Sequence, residues 1–200
     1  MFKKILLPLT LLLVISCSKE NETQPPTPIV TTFDIHHFDW VPNTIITDSI
    51  RLDLNSDNNF DLEFKLTATY QGSTPSGGPY YNYSSNIISL DSNLLISLGT
   101  KLPPSSSSYD PWDCLEFNDM ISENLTWERS FRLNYSVIYA GDVGTWDINK
   151  NEGYVALKFN TAQKNKWGWI KLTSTSSNII LKEYVINENL NQPIFAGQIK

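Results

Sequence analysis

Polar and apolar residues alternate with a period of two along much of this chain. Phe60, Leu62, Phe64, Leu66 and Ala68 are separated by Asp61, Glu63, Lys65, Thr67 and Thr69, and Ile50, Leu52 and Leu54 by Arg51 and Asp53. Successive side chains of an extended strand point to opposite faces, so this rhythm predicts half-buried strands. Runs rich in β-branched and aromatic residues extend the prediction to 32–38, 86–90, 94–98, 131–139, 154–159, 167–172 and 179–186. Turn-forming clusters separate them, at 72–79, 103–108 and 140–144. The best candidate for a helical stripe, 118–127, is short and lacks caps at both ends. No internal repeat of solenoid or propeller length is present. Many short strands without alternating helices predict an all-β fold, an antiparallel β-sandwich of the jelly-roll kind.

The first residues follow another logic. Met1-Phe2-Lys3-Lys4 is a short cationic start, and 5–15 is apolar except for Pro8 and Thr10. That run is too short to span a bilayer, which takes about 20 residues, but fits the apolar region of a secretory signal. It ends Val14-Ile15-Ser16-Cys17, which resembles a bacterial lipobox: branched residue, small residue, then the cysteine that receives lipid. The organisation expected is a lipoprotein signal peptide at 1–16, a lipid-anchored polar tether at 17–30 and one sandwich domain at 31–200. The resemblance implies a diacylglyceryl thioether on Cys17 and a further acyl chain, palmitate or similar, on its amine. At about 0.8 kcal/mol per buried methylene, two or three chains hold a protein on a membrane. The three prolines of 18–28 suit an extended, solvated spacer. Its Ser-Lys-Glu-Asn-Glu start resembles the export signals of surface lipoproteins in the Bacteroidota; a plain polar spacer is the other reading.

Charge removes several function classes. Twenty-one acidic residues against 15 basic ones give a formal charge of −6, or −8 once Lys3 and Lys4 leave with the signal peptide. No basic footprint for nucleic acid exists. Only two histidines occur, His36 and His37, and adjacent strand residues point to opposite faces, so a histidine-built zinc site or Ser-His-Asp triad has little to draw on. Cys114 is the one thiol left beside Cys17 and has no partner for an intramolecular disulfide. The paired carboxylates of a sandwich-fold glycosidase follow no familiar spacing here.

One cluster points to a cation. In Asp53-Leu54-Asn55-Ser56-Asp57-Asn58-Asn59-Phe60-Asp61 an oxygen-bearing side chain falls at every second position. Calcium takes six to eight oxygens, and Asp53, Asn55, Asp57, Asn59 and Asp61 on a tight loop can converge on one point. Asn58 stands where such loops carry glycine, and asparagine tolerates the left-handed conformation that position needs. Phe64 occupies the place of an EF-hand's bidentate glutamate, so the loop is no EF-hand. A structural calcium ion and a polar hairpin turn bonded to its own amides are the two readings.

The last third carries the most specific pattern: Gly153-Tyr154-Val155-Ala156-Leu157-Lys158-Phe159, then Lys166-Trp167-Gly168-Trp169-Ile170-Lys171-Leu172, a further strand, and Gln192-Pro193-Ile194-Phe195-Ala196-Gly197. This order resembles the ending of a broad group of secreted β-sandwich proteins, in particular uncharacterised Bacteroidota lipoproteins. Trp167 stands where that group usually has tyrosine, Ala156 where it has glycine and Val185 where it has alanine. The resemblance implies fold and compartment, not an activity. If Val155, Leu157 and Phe159 face the core, pleating turns Tyr154, Ala156 and Lys158 outward. On the next strand Gly168, Ile170 and Leu172 then face inward and Trp167, Trp169 and Lys171 outward, with Lys158 beside Trp167 and Tyr154 beside Lys171. The result is either an open aromatic platform flanked by ammonium groups, fit to stack on sugars, or a second small core under a loop such as 103–113.

These readings together predict a lipid-anchored protein of the outer membrane, on its surface or periplasmic face. Its sandwich is expected to be a non-enzymatic binding module for a glycan or an envelope protein, with Tyr154, Lys158, Trp167, Trp169 and Lys171 as contacts. A jelly-roll carbohydrate-active enzyme and a structural or inhibitory lipoprotein that binds another protein are the alternatives.

Overall fold

Two five-stranded sheets carry the architecture, and the computed structural model describes them through residues 34–101, 112–137, 141–143, 152–162, 164–175 and 177–200. The segments expected to be signal peptide and tether, with Cys17, lie outside the described residues, as does 102–111, most of the 103–113 loop considered as a cover for the tryptophans. In chain order the strands are β1 (Ile35–Ile46), β2 (Ser49–Leu52), β3 (Leu62–Ser73), β4 (Pro79–Ser89), β5 (Leu94–Ser97), β6 (Gly99–Lys101) and β7 (Trp112–Cys114), then β8 (Met120–Ile121), β9 (Ser130–Val137), β10 (Gly141–Val143), β11 (Gly153–Asn160), β12 (Asn165–Ser174), β13 (Ile179–Asn187) and β14 (Ile194–Phe195). One sheet runs β1-β13-β12-β11-β5 and the other β10-β9-β4-β3-β2; β14-β8 and β6-β7 are small ribbons. Every pairing is antiparallel. The protein is an antiparallel β-sandwich, and no helix occurs among the described residues.

The main core lies between the layers. Val155, Leu157, Ile170, Leu172 and Leu181 from the first sheet meet Leu62, Phe64, Ile87, Phe131 and Leu133 from the second. At about 25 cal/mol per Å2 of apolar surface removed from water, this burial is what holds two sheets together against chain entropy. The pleat parity read from β11 and β12 holds residue by residue, since Lys158 pairs with Trp167 and Tyr154 with Lys171. The connecting turn is the four residues 161–164, closed by Thr161 N–H donating to the Lys164 carbonyl at 2.9 Å.

Elsewhere the boundaries differ for identifiable reasons. Phe60 is exposed and its neighbour Asp61 buried. Left-handed Ser56 and Asn58 re-aim the chain before β3 begins, so the alternation starts at Leu62. β4 starts at Pro79, because 79–85 lacks an apolar rhythm yet pairs along β3 from Ser73 to Leu66. Part of the turn expected at 140–144 is β10, held by β9. The helical candidate 118–127 is β8 and turns, with Asn118 left-handed at φ 72°.

β12 is apolar on both faces, and one glycine sets its distance from β13. A Cβ on Gly168 would lie 2.4 Å from the Val185 carbonyl oxygen, a backbone atom in a paired strand that cannot swing away. Gly168→Ala is therefore expected to destabilise the protein by on the order of 3 kcal/mol, as overpacking of a closed core does. Urea unfolding checks this, and a loss below about 0.5 kcal/mol would show that the strands are not this close.

Candidate functional site

Gly153–Asn160 and Asn165–Ser174 present Tyr154, Ala156, Trp167 and Trp169 on the face away from the main core. That face is closed. Trp169 is fully buried, Trp167 is 3% exposed and Tyr154 6% exposed. Leu115, Ile121, Ile194 and Ala196 complete a second core, with Ile35, Leu125 and Trp127 at its margin. The open stacking platform is thus corrected to the covered arrangement, and the cover is residues 115–127 with the C-terminal segment. Two strongly apolar sheet faces each need a partner layer, because bare indole surface of this size is costly in water.

The C-terminal motif works as the clasp. Ile194 pairs with Ile121, the Ala196 N–H donates to the Asp119 carbonyl at 2.9 Å, and the Asn118 N–H donates to the Ala196 carbonyl at 2.9 Å. Trp169 donates its indole N–H to the Gln198 carbonyl at 3.3 Å. Gly197, at φ 82°, passes under Phe117, whose ring carbon a Cβ would approach to 2.5 Å. Packing thus explains Ile194, Ala196 and Gly197 of that motif, while Pro193 lines the cleft beside Trp167.

Trp167, though nearly buried, is at the border of open space. With Ser122, Glu123, Asn124, Asn165 and Asn191 it lines a cleft of about 330 Å3. Its indole N–H is buried and has no acceptor among the described residues, as is true of Trp127, whose ring lies 5.4 Å away. Lys158 stands over both rings, 5.5 Å from Trp167 and 5.7 Å from Trp127, and pairs with Glu123 at 2.7 Å. Asn165 and Asn191 tie the rim together, each backbone N–H bonded to the other residue. Chemically this is an amide-rimmed cleft with the Lys158–Glu123 ion pair at its edge and the ammonium group over two indole rings.

Lys171 belongs to an ion network instead. It lies 3.2 Å from Glu152 and 3.6 Å from Glu183, and Glu183 in turn meets His37 at 3.1 Å. Burial works to lower the Lys171 pKa, but Glu152, Tyr154 and Glu183 outweigh it and raise the value. Lys182 and Lys171 hold Glu152 below the usual carboxylate range against some desolvation. His37, Asp39 and Glu183 converge closely enough to hold a metal ion. The sequence did not reveal this group, because Glu183 reaches β1 only through strand pairing.

The acidic loop is built from Asx turns. Asp53 accepts from the amides of Asp57 at 3.2 Å and Asn58 at 2.8 Å, Asn55 from Asp57 at 3.0 Å, and Asp57 from Asn59 at 2.8 Å. Asn58 sits at φ 68°, the left-handed position foreseen for it. Asp61 is 1% exposed and accepts the Leu54 N–H at 2.7 Å. Desolvation raises its pKa most; the Leu54 amide opposes this, and the charges of Asp57, Asp91 and Asp53 add to the rise. Asp91 is the member that sequence spacing could not find, since it arrives with the β4–β5 turn. Asn55, Asp57, Asp91, Asn160, Lys166 and Glu188 border a second cleft of about 270 Å3 beside this loop.

Comparison with family models, with curated proteins and with solved structures finds no match to this chain. Asp61 provides the test of the loop's electrostatics. A carboxyl whose folded pKa is raised costs stability once pH rises through that value, and the cost disappears below the unfolded pKa. In the presence of a chelator Asp61→Asn is expected to melt above the native protein at pH 7, and the two curves to converge as pH falls. A variant that melts lower at every pH would contradict this.

Proposed function

We propose that this chain is a lipid-anchored protein of the outer membrane whose sandwich binds a glycan or an envelope protein without transforming it. The observation that carries the binding part is the cleft of about 330 Å3 that Trp167 borders with Ser122, Glu123, Asn124, Asn165 and Asn191. The side-chain amides and carboxylate of those residues offer donors and acceptors to a ligand's hydroxyl or amide groups. The anchor rests on Val14-Ile15-Ser16-Cys17 and the cationic, apolar segment before it. The likeness to Bacteroidota lipoproteins, through Gly153–Gly197, agrees with that compartment. Calcium is the proposed cofactor: a divalent ion held by Asp53, Asn55, Asp57, Asn59 and Asp61 would relieve the repulsion around Asp61.

One observation favours the enzymatic alternative. Asp57, Asp91 and Glu188 border the same cleft, and carboxylates across a cleft are what glycoside hydrolysis uses. Glu188, however, is paired with Lys166, and Asp57 with the Asn59 amide.

Membrane fractionation tests the anchor: the native chain is expected with the outer membrane, and Cys17→Ala in the soluble fraction; a native chain that is soluble overturns it. Incubation with polysaccharides tests the absence of chemistry, since release of reducing ends, abolished in Asp57→Asn or Asp91→Asn, would establish the enzyme instead. For the ion, millimolar calcium is expected to raise the melting temperature of the native chain and leave Asp61→Asn unmoved. No shift in the native chain removes the site.

A further inference from the structure

The β3–β4 hairpin is longer than the sandwich it belongs to. On its core-facing side Leu66 pairs with Ser85, Ala68 with Tyr83 and Tyr70 with Tyr81. Ser85 still meets the opposite sheet, through a 2.8 Å hydrogen bond to Ser174, the last residue of β12. Beyond that contact no strand of the other sheet faces the hairpin among the described residues. The side of the hairpin that is core at Phe64 and Ile87 therefore continues as three uncovered aromatic rings. Tyr70 is 57% exposed, Tyr83 43% and Tyr81 39%. The rings form a contiguous row, with centroids 5.7 Å apart from Tyr70 to Tyr81 and 6.3 Å from Tyr81 to Tyr83.

The surroundings narrow what fits the row. Between Lys65 and Asp91 the chain carries no charged residue and no histidine, in a protein whose formal charge is −6. The polar residues of this stretch are threonine, serine, asparagine and glutamine. Residues 66–90 offer no cation to hold a phosphate, sulfate or uronate, and the protein's own charge repels polyanions. Rings with hydroxyl tips, set among neutral hydroxyl and amide groups, match the apolar C–H faces and hydroxyl edges of uncharged sugars. The position agrees. Asp34 accepts the Glu188 N–H beside the 187–191 turn, so the chain enters the sandwich at the pole of the two clefts, and the hairpin projects from the other pole.

We infer that Tyr70, Tyr81 and Tyr83 form a binding strip for a neutral polysaccharide chain. This deepens the binding reading by naming a ligand class, but on a surface separate from the Trp167 cleft. The alternative occupant is a second copy of this chain. β2 pairs with β3 only as far as Lys65, so among the described residues the backbone of 67–73 has no further strand beside it on that edge, and another strand could extend it.

The test uses the full-length chain in detergent and depletion isotherms on insoluble cellulose, xylan, mannan and α-glucan, with alginate as the anionic comparison. Retention on at least one neutral polymer and none on alginate is expected. Tyr81→Ala/Tyr83→Ala is expected to weaken that retention roughly tenfold or more, as loss of two aromatic contacts implies. Its melting temperature should stay unchanged, because the rings are largely exposed. Retention on no neutral polymer, or undiminished retention in the double variant, overturns the inference; in the second case the chain still binds and only this strip is dismissed. A dimer in sedimentation velocity that the double variant abolishes also overturns it, and assigns the strip to self-association.

Discussion

The sheet that contains β12 is apolar on both faces, and everything else in the molecule answers that constraint. An antiparallel sheet normally keeps one face wet. Here Ile170 and Leu172 face one way and Trp167 and Trp169 the other, so a second layer must cover each side. The five-stranded sheet of β2, β3, β4, β9 and β10 covers the first. Lacking another sheet, the chain covers the second with residues 115–127 and its final segment. Gly168 lets β12 and β13 approach closely, and Gly197 lets the clasp pass beneath Phe117.

That construction decides what is left for function. Closing the tryptophan face takes Trp169 and Tyr154 out of reach of any ligand and leaves Trp167 as the border between core and cleft. The polar groups gather at the pole where β11 turns into β12 and where the acidic loop and the β4–β5 turn meet. At the opposite pole the hairpin carries core-side tyrosines into solvent. Aromatic residues serve three purposes in one small sandwich: packing, bordering a cleft and forming an open strip.

Much of the fold was legible because the alternation of Leu62, Phe64 and their partners is a direct record of the pleat. Parity on β11 and β12 even fixed their register, since a short turn leaves few ways to pair Lys158 with Trp167. What was not legible came from contacts distant in sequence. Nothing local shows that Ile194 pairs with Ile121, so the cover that residues 115–127 and the C-terminal segment supply had no signal in the sequence. The acidic loop was visible as a loop and its left-handed Asn58 foreseen, but Asp91 joins it only through tertiary structure. The tyrosines gave no signal, because 79–85 has no apolar alternation and sits beside a Gly/Pro/Ser-rich turn.

The dependence of the sandwich on its clasp is open to direct measurement. A chain ended after Asn191 lacks Ile194, Ala196 and the acceptor for Trp169. Tryptophan emission and acrylamide quenching of that chain, compared with the full-length protein, report whether the second core exists. A red-shifted, readily quenched emission with a lowered melting temperature is the result this account requires. Unchanged emission, quenching and melting in the shortened chain would contradict it.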